Sequence, residues 1–90
     1  MQEIVKDIKI ENKLGIHARP AARFVQLTSR FSSEIILKRG GEEVNGKSIM
    51  GVLMLAAPQG STVRVIVRGE DAAAAMAEIE ALIRDKFGED

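Results

Sequence analysis

The sequence predicts an α+β fold, a β-sheet covered on one face by helices, and three observations carry that prediction. Two segments, one near each end of the chain, alternate apolar with charged or polar side chains, the pattern of strands with one face in water. Other stretches repeat their apolar residues every three to four positions, as helices with one buried stripe do. At 90 residues the chain has single-domain size, and no linker, repeat or low-complexity segment divides residues 1–90.

In residues 4–10, Ile4, Ile8 and Ile10 share one parity while Glu3, Asp7 and Lys9 take the other, which reads as a half-buried strand. Residues 18–31 place Ala18, Ala21, Ala22, Phe24, Val25 and Phe31 at helical steps, with Arg23, Gln26 and Arg30 between them. "EIILKRGGEEV" then gives two extended runs joined by Gly40 and Gly41; paired glycines suit a two-residue hairpin whose central positions both need positive φ. Residues 48–56 are apolar and uncharged, a brief helix stopped near Pro58 and Gly60. Val63, Val65 and Val67 alternate with Arg64, Ile66 and Arg68 to form a fourth strand ended by Gly69. "EDAAAAMAEIEALIRDKF" is rich in alanine, opens on acids that suit a helix amino end, and spaces Ala72, Met76, Ile79, Leu82, Ile83 and Phe87 for a closing helix. The order is strand, helix, strand, strand, short helix, strand, helix.

Composition narrows the function. Thirteen basic residues balance thirteen acidic ones, so no global cationic field gathers nucleic acid or an anionic membrane. With no cysteine and one histidine, a disulfide framework, a thiol pair and a zinc cluster are excluded within one chain, and a reducing cytoplasm is the expected setting. The longest apolar run, "IMGVLMLAA", is too short to span a bilayer. A domain this small has little room for a deep cavity, so chemistry belongs on its surface.

The single histidine stands in "NKLGIHARPAA". Proline clashes with the carbonyl four residues back, so Pro20 forbids a helix that already contains Ile16 and sets the helix start near His17. With Ala18 as first helical residue, Pro20 lies in the first turn, where its missing donor loses no bond. Gly15 supplies the backbone freedom to turn strand into helix. His17 is then displayed at the positive end of a helix dipole, beside the N–H groups of Ala18 and Arg19, where anions are favoured. That helix end disfavours imidazolium and leaves a neutral ring nitrogen as nucleophile. Neutral imidazole attacks phosphorus, and Arg19 can hold the phosphoryl oxygens by charge-assisted hydrogen bonds with no metal or cofactor.

These residues resemble the HPr family, the histidine-containing phosphocarriers of the bacterial phosphoenolpyruvate-dependent phosphotransferase system. "GIHARPA" looks like the family's active-site motif and "NGKSIMGVL" like its regulatory-serine motif; length and element order agree over essentially the whole chain. The resemblance implies an open-faced β-sandwich, a four-stranded antiparallel sheet with three helices on one face. It also implies that His17 accepts phosphate on Nδ1 from Enzyme I and donates it to a histidine of an EIIA domain, with Arg19 assisting. Such a chain is a carrier and not an enzyme with its own small-molecule substrate.

"GEEVNGKS" satisfies G-x-x-x-x-G-K-S, the pattern of a phosphate-binding P-loop. Its context argues against that use, because the first glycine belongs to a hairpin turn and "EEV" reads as a strand. Ser48 is placed to cap the short helix that follows. The resemblance adds phosphorylation of Ser48 by HPr kinase/phosphorylase, where a dianion would favour the local dipole and repel an acidic partner. That helix is apolar nearly all round, so Val52 and Leu55 are expected inward and some of Ile49, Met50 and Leu53 outward. With Lys47 they form the partner patch, working as a monomer. Leu14 stands where many family members carry serine or asparagine. "NKLGIHARPA" is equally similar to the nitrogen-branch paralogue NPr, and a purely regulatory interaction module using the same surface is the competing class.

Overall fold

The computed structural model describes residues 2–89. In chain order the elements are strand β1 (Gln2–Lys9), helix α1 (Ala18–Thr28), strands β2 (Glu34–Arg39) and β3 (Glu42–Asn45), helix α2 (Ile49–Met54), strand β4 (Thr62–Gly69) and helix α3 (Ala72–Arg84), and a 3-10 turn, Lys86–Gly88, follows α3. The strands form one antiparallel sheet in the order β1-β4-β2-β3. Among the described residues, no helix is long and apolar enough to cross a membrane.

Strand parity decides the layers. Ile8, Ile35, Leu37, Val63, Val65 and Val67 point to the helices and are buried. The opposite face carries Glu3, Arg68 and Glu34 in one cross-strand row and Asp7 beside Arg64 in another. Arg68 reaches Glu3 at 2.7 Å and Glu34 at 3.1 Å, and Arg64 reaches Asp7 at 2.9 Å. Exposed pairs of this kind contribute about 0–1 kcal/mol each, so they discourage slipped registers more than they hold the sheet. Burial of Phe24, Leu55, Met76, Ile79, Ile83 and Phe87 against the inner face supplies the main driving force.

Four details depart from the sequence expectation. α1 ends at Thr28, not Phe31, because Thr28 is buried and its Oγ1 donates to the Gly46 carbonyl at 2.8 Å, which turns the chain toward the sheet. At the hairpin only Gly40 has positive φ (60°), the requirement of a type II′ turn, which needs glycine at its first central position alone. α3 stops at Arg84, and Phe87 reaches the core from the following turn at φ 56°. Finally, Asp71 stands at the start of α3 but does not cap it. Its carboxylate accepts instead from the Ser32 and Ser33 amides, each at 2.9 Å, and from both hydroxyls. The Ser33 hydroxyl first, then the Ser32 amide, hold that carboxyl down to about 2.

Candidate functional site

The loop between β1 and α1 is fastened to the loop after α2. Ile10 N–H donates to the Ser61 carbonyl, Gly60 N–H to Ile10, and Ile16 N–H to Ala57, at 2.7–2.9 Å. Gly15 makes this approach possible: its φ is +66°, and a Cβ there would lie 2.4 Å from the Ala57 oxygen. Ile16 is buried beside it and His17 turns outward, with a side chain 36% exposed.

His17 is the N-cap of α1, in extended backbone (φ −101°, ψ −162°), and its carbonyl accepts the first helical bond from Ala21 at 3.0 Å. Its ring makes no cap bond. Because Pro20 has no N–H, the donors at this helix end are Ala18 and Arg19, both exposed and without a backbone partner outside the helix among the described residues. Arg19 makes no side-chain hydrogen bond or ion pair there. An anion seated at this point meets two amides, the helix dipole and an exposed guanidinium.

The ring itself is held from the other side. Nε2 lies 3.0 Å from Glu89 Oε2 and 3.3 Å from Oε1. A carboxylate only accepts, so Nε2 carries the hydrogen and the lone pair of the neutral ring is on Nδ1. Glu89 is in turn bonded by Asn12, whose Nδ2 donates to Glu89 Oε1 at 3.0 Å and to the Gly15 carbonyl at 2.6 Å. Asn12 is fully buried. The opposite amide orientation would set its oxygen against two acceptors, which fixes the assignment. Lys13, Leu14, Arg19, Arg23, Gly88 and Glu89 line the groove beside this cluster.

Ser48 is the N-cap of α2, and its Oγ accepts from Gly51 N–H at 3.1 Å. Two bonds tie this helix start to the carboxyl end of α1: Thr28 Oγ1 to Gly46, and Lys47 Nζ to the Phe31 carbonyl at 2.5 Å. His17 and Ser48 therefore lie toward opposite ends of α1, separated along it by roughly 16 Å of helical rise. Ile49 (44% exposed) and Met50 (68%) are outward, Leu53 is half-buried, and Val52 and Leu55 are fully buried. The Lys47 ammonium is engaged within the chain and is not displayed with them. Residues 41–48 are divided among a hairpin turn, β3 and a second turn, so they form no phosphate-wrapping loop.

Several contributors escaped sequence reasoning. Glu89 meets His17, and Asn12 meets Glu89, only in the folded chain, and Arg23 donates to the Phe87 carbonyl. Leu14 (74% exposed) and Met54 (63%) add to the outward apolar side chains; the apolar character of α2 was the only signal for Met54.

A family model described as "PTS HPr component phosphorylation site" matches residues 4–85. The chain is 48% identical to the phosphocarrier protein HPr of Treponema pallidum, over 97% of this chain and 99% of that protein. It is 45% identical to the HPr-like protein Crh of Halalkalibacterium halodurans, over 89% and 95%. Among solved structures it is similar to HPr-C-His from Thermoanaerobacter tengcongensis, with a TM-score of 0.90 and 46% identity over 100% of this chain and 99% of that one.

Proposed function

The chain belongs to the HPr family of phosphocarrier proteins of the phosphotransferase system, and from that premise we propose that it relays a phosphoryl group from Enzyme I to a histidine of an EIIA domain through phosphohistidine at His17. The observation that carries the proposal is the His17 ring, 36% exposed at a helix start, with its Nε2 engaged by Glu89 and its Nδ1 without a hydrogen-bond partner among the described residues.

In the forward step the Nδ1 lone pair forms a bond to phosphorus while the phosphorus–nitrogen bond of the donor's phosphohistidine breaks, its electrons returning to the donor nitrogen. The Ala18 and Arg19 amides and the Arg19 guanidinium face the phosphoryl oxygens and spread their charge. These groups are exposed to water, so they stabilise the adduct without trapping it, which suits a carrier. The exposed Ile49, Met50 and Met54, with Leu14 and half-buried Leu53, give an adaptable apolar surface for successive partners. Lys47 braces its edge through Phe31. The carrier works in the cytoplasm as a monomer.

Ser48 is the proposed regulatory site for HPr kinase/phosphorylase. Its hydroxyl is half-buried and bonded to Gly51 N–H, so phosphorylation replaces one cap acceptor by a stronger one and adds a dianion between Lys47 and the apolar patch. Similarity to Crh, which in Bacillus subtilis is described as a catabolite repression HPr, favours a second reading, a regulatory interaction module using the same surface with His17 silent. Incubation with Enzyme I and phosphoenolpyruvate separates the two. The relay predicts one acid-labile phosphoryl group per chain, kept in Ser48→Ala and absent in His17→Ala; no labelling of the native chain favours the module.

A further inference from the structure

We propose that the Glu89 side-chain carboxylate is a positioning residue for phosphoryl transfer, holding the His17 ring with Nδ1 outward and balancing the charge the ring gains. The proposal rests on the phosphocarrier reading and concerns a residue outside both of its sequence motifs.

Glutamates at the surface usually wave in solvent. Glu89 does not: its side chain is only 16% exposed, held by one hydrogen bond to its own carboxylate and by two interactions that fix the turn just before it. Phe87 buries its ring in the core from a left-handed backbone position, φ 56°, a conformation that a bulky residue adopts only where packing holds it. Arg23 Nη1 donates to the Phe87 carbonyl and so ties this segment to α1. Asn12, fully buried, donates to Glu89 Oε1 at 3.0 Å while its second amide hydrogen reaches Gly15. The carboxylate is thereby set within 3.0 Å of His17 Nε2, and the same asparagine fixes the loop that presents the histidine.

The chemistry uses this arrangement. When Nδ1 bonds to phosphorus, no proton leaves the ring, because Nε2–H stays in place. The imidazole goes from neutral to positive, and that charge forms beside the negative Glu89 in a half-buried setting where it is incompletely screened. On donation to the acceptor the bond to phosphorus breaks, its electrons return to Nδ1, and the ring is neutral again. Arg19 faces the phosphoryl oxygens; Glu89 acts through the ring, from the side away from the incoming group.

The test compares Glu89→Ala and Glu89→Gln with the native chain, using Enzyme I and phosphoenolpyruvate as donor and 15N spectra of the His17 ring. Glu89→Ala is expected to lower kcat for phosphoryl acceptance about tenfold, the scale of one partly solvated charge-assisted hydrogen bond. KM for the donor should stay within about twofold, since Glu89 lies behind the ring. In the neutral ring, hydrogen that sits on Nε2 in the native chain should spread to Nδ1 in Glu89→Ala. Glu89→Gln keeps an acceptor and hence the Nε2–H form, yet its kcat should remain reduced because the charge is gone. Native kcat in Glu89→Ala, or a ring spectrum unchanged by that substitution, overturns the proposal. If the native chain takes no phosphate at all, the carrier reading fails, and the ring spectra alone decide whether Glu89 sets the tautomer.

Discussion

α1 and α2 both begin at a residue in extended backbone whose side chain can hydrogen-bond, yet only Ser48 turns that side chain onto its own helix. His17 leaves the Ala18 and Arg19 amides without a cap and directs its ring to Glu89 instead. A helix start that satisfies its own donors is stable and quiet; one that leaves them open has a place for an anion. The start of α3 is a third case. Asp71 spends its carboxylate on Ser32 and Ser33, fastening the loop after α1 to the last helix.

Substitutions sharpen this contrast in a definite order. Gly15→Ala should do the most damage, because it combines a left-handed backbone with a Cβ 2.4 Å from the Ala57 oxygen. We expect a loss of about 3 kcal/mol in urea unfolding, along with displacement of His17; a loss below about 1 kcal/mol would mean that the two loops separate easily. Ser48→Ala removes the bond to Gly51 N–H and should cost about 1 kcal/mol. His17→Ala removes no cap bond, so unfolding should shift by no more than about 0.5 kcal/mol although phosphate acceptance disappears. Equal losses at positions 17 and 48 would erase the distinction between the two helix starts.

Acid reads the third start. The Asp71 carboxyl is held down to about 2 in the folded chain from an ordinary 3.8, so its stabilisation is complete above the unfolded value and drains away as pH falls from about 4 toward 2. Melting temperatures measured across that range should fall less steeply for Asp71→Asn than for the native chain. Parallel curves would show that the serine bonds do not distinguish the folded from the unfolded carboxyl.

Much of this architecture is legible in the sequence, for a physical reason. A two-residue period assigns each strand residue to a face, so Val63, Val65 and Val67 could be placed inward from spacing alone, and all three are buried. The helix start at His17 follows from the covalent geometry of Pro20. What escapes is set by partners far along the chain. α1 stops at Thr28 because of Gly46, Asp71 looks away from its helix because of two serines, and Lys6, on the apolar parity of β1, is accommodated at the sheet edge by Glu80 at 2.7 Å. Half of the site was readable in the same way: Gly15, His17 and Arg19 are neighbours in sequence. Glu89 is 72 residues from His17, and no local pattern couples them.

The central claim, that His17 Nδ1 is the nucleophile while Nε2 keeps its hydrogen against Glu89, is tested most directly by 15N spectra of the phosphorylated chain. We predict one-bond coupling to phosphorus at Nδ1 and an attached hydrogen at Nε2. Coupling to phosphorus at Nε2, or at no nitrogen of His17, would contradict it.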